Sequence, residues 1–350
     1  MYQNPNTPPI LFKRIYISTL ITNFSMSTII KGLKERGRLS KSFFKSLTEG
    51  RNSTLLQILV TDPELDVQIR DNYINIYYRG GNILRIKPDS YQFDKYYFYL
   101  RDNRAFPKTY IDKVAKSKFA EISPNSKEPI PTKEEAISII EQLDIKEKQL
   151  IELLPDKISE YLQVAKDSMD RWFTSWNKKE RDDQHRIAIS NREFSRHNDL
   201  VVVDIEFAVS TLQPYNNAKN PITGKKKICR FDIIAVDRTG RIYVIELKQN
   251  GKADSKGNKA NVHIHTEDFN NTVGQDVSRL FATEICNIVK TKQELNILSN
   301  NISVDCAKNP IFAVAYSGSD SKEFNSKYES AGLKVIKIDA IDKNPYLKFQ

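Results

Sequence analysis

The sequence predicts an α/β chain (α+β overall), with a smaller N-terminal module on an antiparallel sheet, a helical connector and a larger C-terminal α/β domain. Three observations predict it. Short β-branched and aromatic runs with turn signals crowd residues 65–100. A Pro- and Ser-containing stretch, 123–131, then breaks all periodicity. From Pro155 onward, helical periodicity gives way to apolar strands interleaved with helices. The 350 residues suit two domains at about 150 residues each.

Taken in order, residues 1–26 read as disordered or as preceding a true start at Met26. Lys13, Arg14 and the interrupted apolar stretch Ile15–Phe24 make a poor secretory signal. Residues 27–122 form the N-terminal module. A basic amphipathic helix, or two short ones, covers 27–50. Val67, Ile69, Ile74, Ile76, Tyr77 and Tyr78 are strand formers, and Arg79-Gly80-Gly81-Asn82 signals the turn into Ile83–Ile86. Tyr91–Leu100 reads as a further strand. Residues 123–155 are linker and connecting helix, opened by the capping box of Thr132 and Glu135. Residues 156–350 form the C-terminal domain. A helical stretch to about Ser190 carries Ile158, Leu162, Ala165, Met169, Trp172, Phe173 and Trp176 on one face, a core stripe. Strands follow at Leu200–Val209, Ile228–Val236 and Ile242–Leu247, then a helix over Gln275–Lys292 and strands at Ile311–Tyr316 and Leu333–Ile338.

Composition narrows the function classes. No run of about 18 uncharged apolar residues offers a transmembrane helix. Cys229, Cys286 and Cys306 are odd in number and form no CxxC pair. They support neither a disulfide framework nor a zinc ribbon, and the expected compartment is a reducing cytoplasm. The net charge is +10, of which residues 1–51 carry +7. Such a balance favours polyanionic partners, nucleic acid first. There is no GxSxG, Walker A or strand-following GxGxxG, and Cys229 lacks an evident His partner, so a hydrolase using Cys or Ser is not favoured.

The chemistry concentrates in the hairpin Arg230–Gln249. Its turn centres on residue 239, and Asp232 and Glu246 are both seven residues from that centre. In a symmetric hairpin they face each other about 5 Å apart at Cβ. Lys248 shares their face through the period of two. The neighbours Ile233, Ile234, Val236, Val244, Ile245 and Leu247 are apolar on both faces, so three charges would be desolvated at several kcal/mol each. A divalent cation between Asp232 and Glu246 relieves the carboxylate repulsion. Mg²⁺ fits, with Mn²⁺ as a substitute, because it takes oxygen ligands and keeps several waters. Lys248 can then orient an attacking water or stabilise charge at a phosphate. The basic loop that follows, with Lys252, Lys256 and Lys259, is placed to hold a phosphate backbone. His263, His265, Glu267 and Asp268 fit no closed zinc site. They read better as part of a loop closing over the acids.

Asp232…Glu246-Leu247-Lys248 resembles the active-site signature of the PD-(D/E)XK nucleases, the restriction-endonuclease-like fold. Phe231 stands where many members carry proline. Gly274–Arg279 is similar to the helix that follows the signature in the RecB-like branch, with Gln275 in place and Arg279 where that branch has tyrosine. The resemblance implies an αβββαβ core in the C-terminal half and hydrolysis of phosphodiester bonds, with DNA favoured over RNA. It also implies a role for Gln275 in orienting Lys248 or touching substrate. A further acid is expected from the first helix or strand: Glu180, or Glu206 as a metal ligand. Glu206 also falls opposite Asp232 if the first two strands pair about a loop centred near residue 219. A catalytically silent nucleic-acid-binding or protein-interaction module is the alternative. The N-terminal module offers a surface for nucleic acid, a second copy or a protein partner, and no membrane partner is expected.

Overall fold

The computed structural model describes residues 37–50, 52–89, 91–92, 179–210, 228–249, 262–273, 278–317 and 321–349, with helical residues scattered between 158 and 170. The readings of residues 1–26, the capping box at Thr132, most of the strand at 91–100 and the Trp172–Trp176 part of the stripe lie outside them.

Among the described residues the N-terminal module shows two helices on a small antiparallel sheet. Ser40 caps α1 (Lys41–Thr48), its hydroxyl accepting from the Phe43 N–H, and α2 (Ser53–Thr61) follows. Strands β1 (Asp66–Ile69), β2 (Ile74–Tyr78), β3 (Gly81–Ile86) and the two-residue β4 (Tyr91–Gln92) pair in order. The β2–β3 turn is the one read from the sequence. Tyr78 pairs with Gly81, and Arg79 and Gly80 both take positive φ, as a tight turn matched to strand twist requires. Phe43, Leu55, Leu59, Ile69, Ile76 and Ile86 form its core. Ile158, Leu162, Ala165 and Met169 pack into the same cluster.

The larger sheet has six strands in the order β10-β9-β8-β7-β6-β5. Helix α3 (Lys179–Ser190) leads into β5 (Leu200–Ser210), β6 (Ile228–Asp237) and β7 (Ile242–Lys248), all antiparallel. Helices α4 (Val262–Thr272) and α5 (Ser278–Glu294) carry the chain to β8 (Ile311–Tyr316), parallel to β7. Helix α6 (Ser321–Ser330) leads to β9 (Lys334–Ile341), parallel to β8, and β10 (Asn344–Phe349) turns back antiparallel. Neither α6 nor β10 is foreshadowed by periodicity. The sheet curls, so that the Asp199 N–H donates to Leu347 O at 2.9 Å. Ile187 and Ala188 of α3 pack on one face with Ile205, Ile233 and Ile245. Phe281, Ile285 and Ile288 of α5 cover the other with Val203, Ile234 and Val244. Every residue of β7 is buried, which explains its unbroken apolar run. Among the described residues no helix is long and apolar enough to cross a membrane.

Buried charge joins the two parts. Arg70, just past β1, reaches Asp204 on β5 at 2.7 Å, with side chains 6% and 0% exposed. Its second nitrogen donates to Ile205 O at 2.9 Å. Burial works against the guanidinium charge, but the Asp204 carboxylate outweighs it and holds Arg70 above its ordinary value. Lys292 of α5, 2% exposed, donates to Gln68 Oε1 at 2.6 Å and to Val203 O at 2.7 Å. Arg70 and Asp204 meet at the register shift between Val202 and Asp204. Arg70→Ala or Asp204→Ala is expected to cost about 3–5 kcal/mol, because each leaves a charge buried alone. Urea unfolding checks this, and Arg70→Met with Asp204→Leu is expected to cost less than either single change.

Candidate active site

Strands β6 and β7 deliver the three central side chains. The ladder pairs Ile233 with Ile245, Ile234 with Val244 and Val236 with Ile242. That is the register the turn symmetry gives, fixed by Gly240 at φ 78° and by Asp237 Oδ1 accepting from the Thr239 and Arg241 N–H groups. The ladder ends at Ile233↔Ile245, one step before Asp232 and Glu246. There the Asp232 carboxylate takes over, accepting from the Leu247 N–H at 2.9 Å. A side chain, instead of strand backbone, spans the gap where β6 leaves β7. Glu246 is 3% exposed and Lys248 6%. Lys248 Nζ donates to Glu246 Oε1 at 2.5 Å. His265 Nε2, from α4, lies 3.1 Å from the same oxygen. Glu246 Oε2 is buried with no hydrogen-bond partner among the described residues.

This arrangement is electrostatically expensive. Burial raises Asp232 from 3.8 to about 7. Lys248 and the Leu247 N–H oppose the rise, while the charges of Glu206 and Glu180 add to it. Burial also pushes Glu246 well above the ordinary carboxylate value, and Asp232 pushes it further, against the pull of Lys248. Two acids that resist ionising side by side, next to one ammonium, form a cluster short of positive charge.

The two further acids differ. Glu206 lies between the pairs Ile205↔Ile233 and Phe207↔Phe231, which places it across from Asp232. It adopts φ 52°, a left-handed conformation that costs a non-glycine residue about 1–3 kcal/mol. Its Oε2 takes Arg230 at 3.1 Å. Glu180 is exposed in the first turn of α3, and its charge reaches both Asp232 and Glu246. Gln275, Lys252, Lys256 and Lys259 lie outside the described residues.

Helix α3 supplies contacts that sequence reasoning missed. Gln184 Nε2 donates to Asp232 O at 2.6 Å. Asp183 Oδ2 accepts from Gln249 Nε2 at 2.6 Å and from Ser317 Oγ at 2.9 Å, while the Ser317 N–H donates to Lys248 O. Asp183, Gln184 and Glu180 share a helix face by their i, i+3, i+4 spacing, the one signal that could have grouped them.

Among the described residues no group of three or more His, Cys, Asp or Glu is gathered to hold an ion by itself. Mg²⁺ does not need one. One or two carboxylates suffice when waters and substrate phosphates complete the shell. Asp232 and Glu246 fit that donor set, and the buried Glu246 Oε2 has no hydrogen-bond donor among the described residues. Comparison of the chain with protein-family models, curated proteins and solved structures finds no match.

The raised Asp232 value fixes a pH dependence. Native Asp232 keeps its proton between about pH 4 and 7 where the unfolded chain releases it, so stability falls as pH rises through that window. Asp232→Asn removes this loss. It is expected to stabilise the chain by about 1–3 kcal/mol at pH 8, shrinking towards zero near pH 4. Thermal melts across that range check it.

Proposed function

We propose that the chain is a divalent-metal-dependent nuclease that hydrolyses phosphodiester bonds, with DNA favoured over RNA as substrate. One observation carries the reading. Two carboxylates from adjacent central strands, both resisting ionisation, stand beside a buried lysine at the place where the strands part. A merely structural strand pair gains nothing from three desolvated charges. The net charge of +10 and the resemblance of Asp232…Glu246-Leu247-Lys248 to the PD-(D/E)XK signature support the same conclusion.

Asp232 and Glu246 would hold Mg²⁺ or Mn²⁺, with Glu206 or Glu180 as the further acid. The ion supplies Lewis-acid stabilisation of the phosphate and a more acidic water. Lys248 does two things from its place on Glu246. It donates a hydrogen bond that positions the attacking water, and its charge offsets the negative charge growing on the phosphate oxygens. The water gives up a proton to solvent as its oxygen bonds to phosphorus, one ester P–O bond breaks, and the departing sugar oxygen takes a proton from solvent. The Leu247 N–H keeps Asp232 in place, and Gln184 keeps its strand in place.

The test is cleavage of labelled linear DNA, circular DNA and RNA with Mg²⁺, Mn²⁺ or EDTA. Wild type is expected to cut with either ion and to stop in EDTA. Lys248→Met is expected to lower kcat by about 10²–10³ with KM little changed, and Glu246→Ala to abolish cutting. Salt-sensitive binding without cleavage of any substrate would overturn the enzyme reading in favour of a binding module.

A further inference from the structure

Glu246 offers its two oxygens unequally. Oε1 receives Lys248 Nζ at 2.5 Å and lies 3.1 Å from His265 Nε2, while Oε2 is buried with no hydrogen-bond partner among the described residues. The last torsion of a glutamate is broad and roughly two-fold, so a carboxylate left to itself turns easily and exchanges its oxygens. Lys248 restrains it weakly, because an ammonium on a four-carbon stem is a mobile point charge. An imidazole is a rigid ring with one nitrogen aimed at one oxygen.

His265 is held in that position. It lies on α4 three residues after Val262 and four before Phe269, so the three share a helix face. Val262 is 0% and Phe269 7% exposed, both within the core that covers this side of β7. His263, two residues away on the same helix, is exposed and faces the Tyr328 ring at 6.5 Å. The sequence offers two similar histidines, and the fold brings only His265 to the acid.

We infer that His265 is a positioning residue for Glu246, fixing which carboxylate oxygen is presented to a divalent cation. The inference rests on the metal-dependent reading above. An ionised carboxylate can only accept, so Nε2 must be the protonated nitrogen and donate to Oε1. Both donors then sit on Oε1, and the remaining oxygen is turned to the cation. His265 acts through Glu246 and takes no place of its own among the ligands. Partners of this kind, one step removed from the metal, set the orientation and basicity of the ligand they hold.

The test uses the full chain and Mn²⁺ alone, titrated by calorimetry into metal-free protein, so no turnover is needed. His265→Ala is expected to weaken Mn²⁺ binding about 10- to 100-fold. His265→Gln is expected to stay within about threefold of wild type, because its amide Nε2 can reach the same oxygen. His265→Asn, one bond shorter, is expected to behave as Ala does, and His263→Ala as wild type. Melting temperatures run alongside. If His265→Ala does not fold, the Gln and Asn pair gives the same comparison. In cleavage, the lost rate of His265→Asn is expected to return as Mn²⁺ is raised, with KM for nucleic acid unchanged. Unchanged Mn²⁺ affinity in Ala and Asn, or equal loss in Gln and Asn, overturns the inference while the nuclease reading stands. A wild-type chain that binds no Mn²⁺ overturns both, and the wild-type titration alone shows it.

Discussion

The constraint on which this structure turns is the desolvation of Asp232, Glu246 and Lys248 in the middle of a sheet covered on both faces. Glu246 and Lys248 belong to a strand with no exposed residue. Their burial is stable only because each charge has a fixed partner within the same few ångströms. Lys248 and His265 sit on Glu246 Oε1, and the Leu247 N–H sits on Asp232. The balance is incomplete: both acids remain above their ordinary values. An added positive charge beside the two acids would favour their ionised forms, since burial and their mutual repulsion are what hold them up.

Such a site needs a rigid support, and the second set of buried charges provides one. Arg70–Asp204 and the Lys292 bonds to Gln68 and Val203 tie β1 to β5 and α5. They fall where β5 shifts register, just before Glu206 adopts its left-handed conformation. An irregular strand would otherwise be free to slide. Pinned on one side by Arg70 and on the other by its ladder with β6, it holds Glu206 opposite Asp232 despite the backbone strain. The cost of that conformation is offset by interactions made up to 135 residues away in sequence.

What was legible in the sequence follows from this. The register of β6 and β7 could be read because a turn with one glycine determines it, and every residue needed lies within the hairpin. The pairing of Glu206 with Asp232 was accessible by the same symmetry. The end of the ladder at Ile233↔Ile245 was not, because it depends on a side chain replacing backbone. Nor was the Arg70–Asp204 pair, since nothing in the surroundings of either residue marks it. His265 was visible only as one of two histidines in an acidic stretch, and Asp183 only as one charge in a run of them. Tertiary placement, which leaves no period in the sequence, chose between them.

Helix α3 carries the last step. Its two sides are committed to different parts of the molecule. Arg79 of the N-terminal hairpin bonds Asp182 and Asp170, the His185 ring meets Glu64 O, and a Cβ at Gly80 would come within 2.4 Å of Arg181 O. The other side sends Gln184 to Asp232 O and Asp183 to Gln249 and Ser317, at the ends of the strands that bear the site. Burial holds His185 below its ordinary value and favours the neutral ring, against the pull of Asp66 and Asp182. A turn that tolerates only glycine at its closest approach therefore fixes the height of α3, and α3 fixes the spacing of the strand ends around Lys248. The N-terminal module is thereby part of the geometry of the site and not an appendage to it, whatever its exposed surface engages.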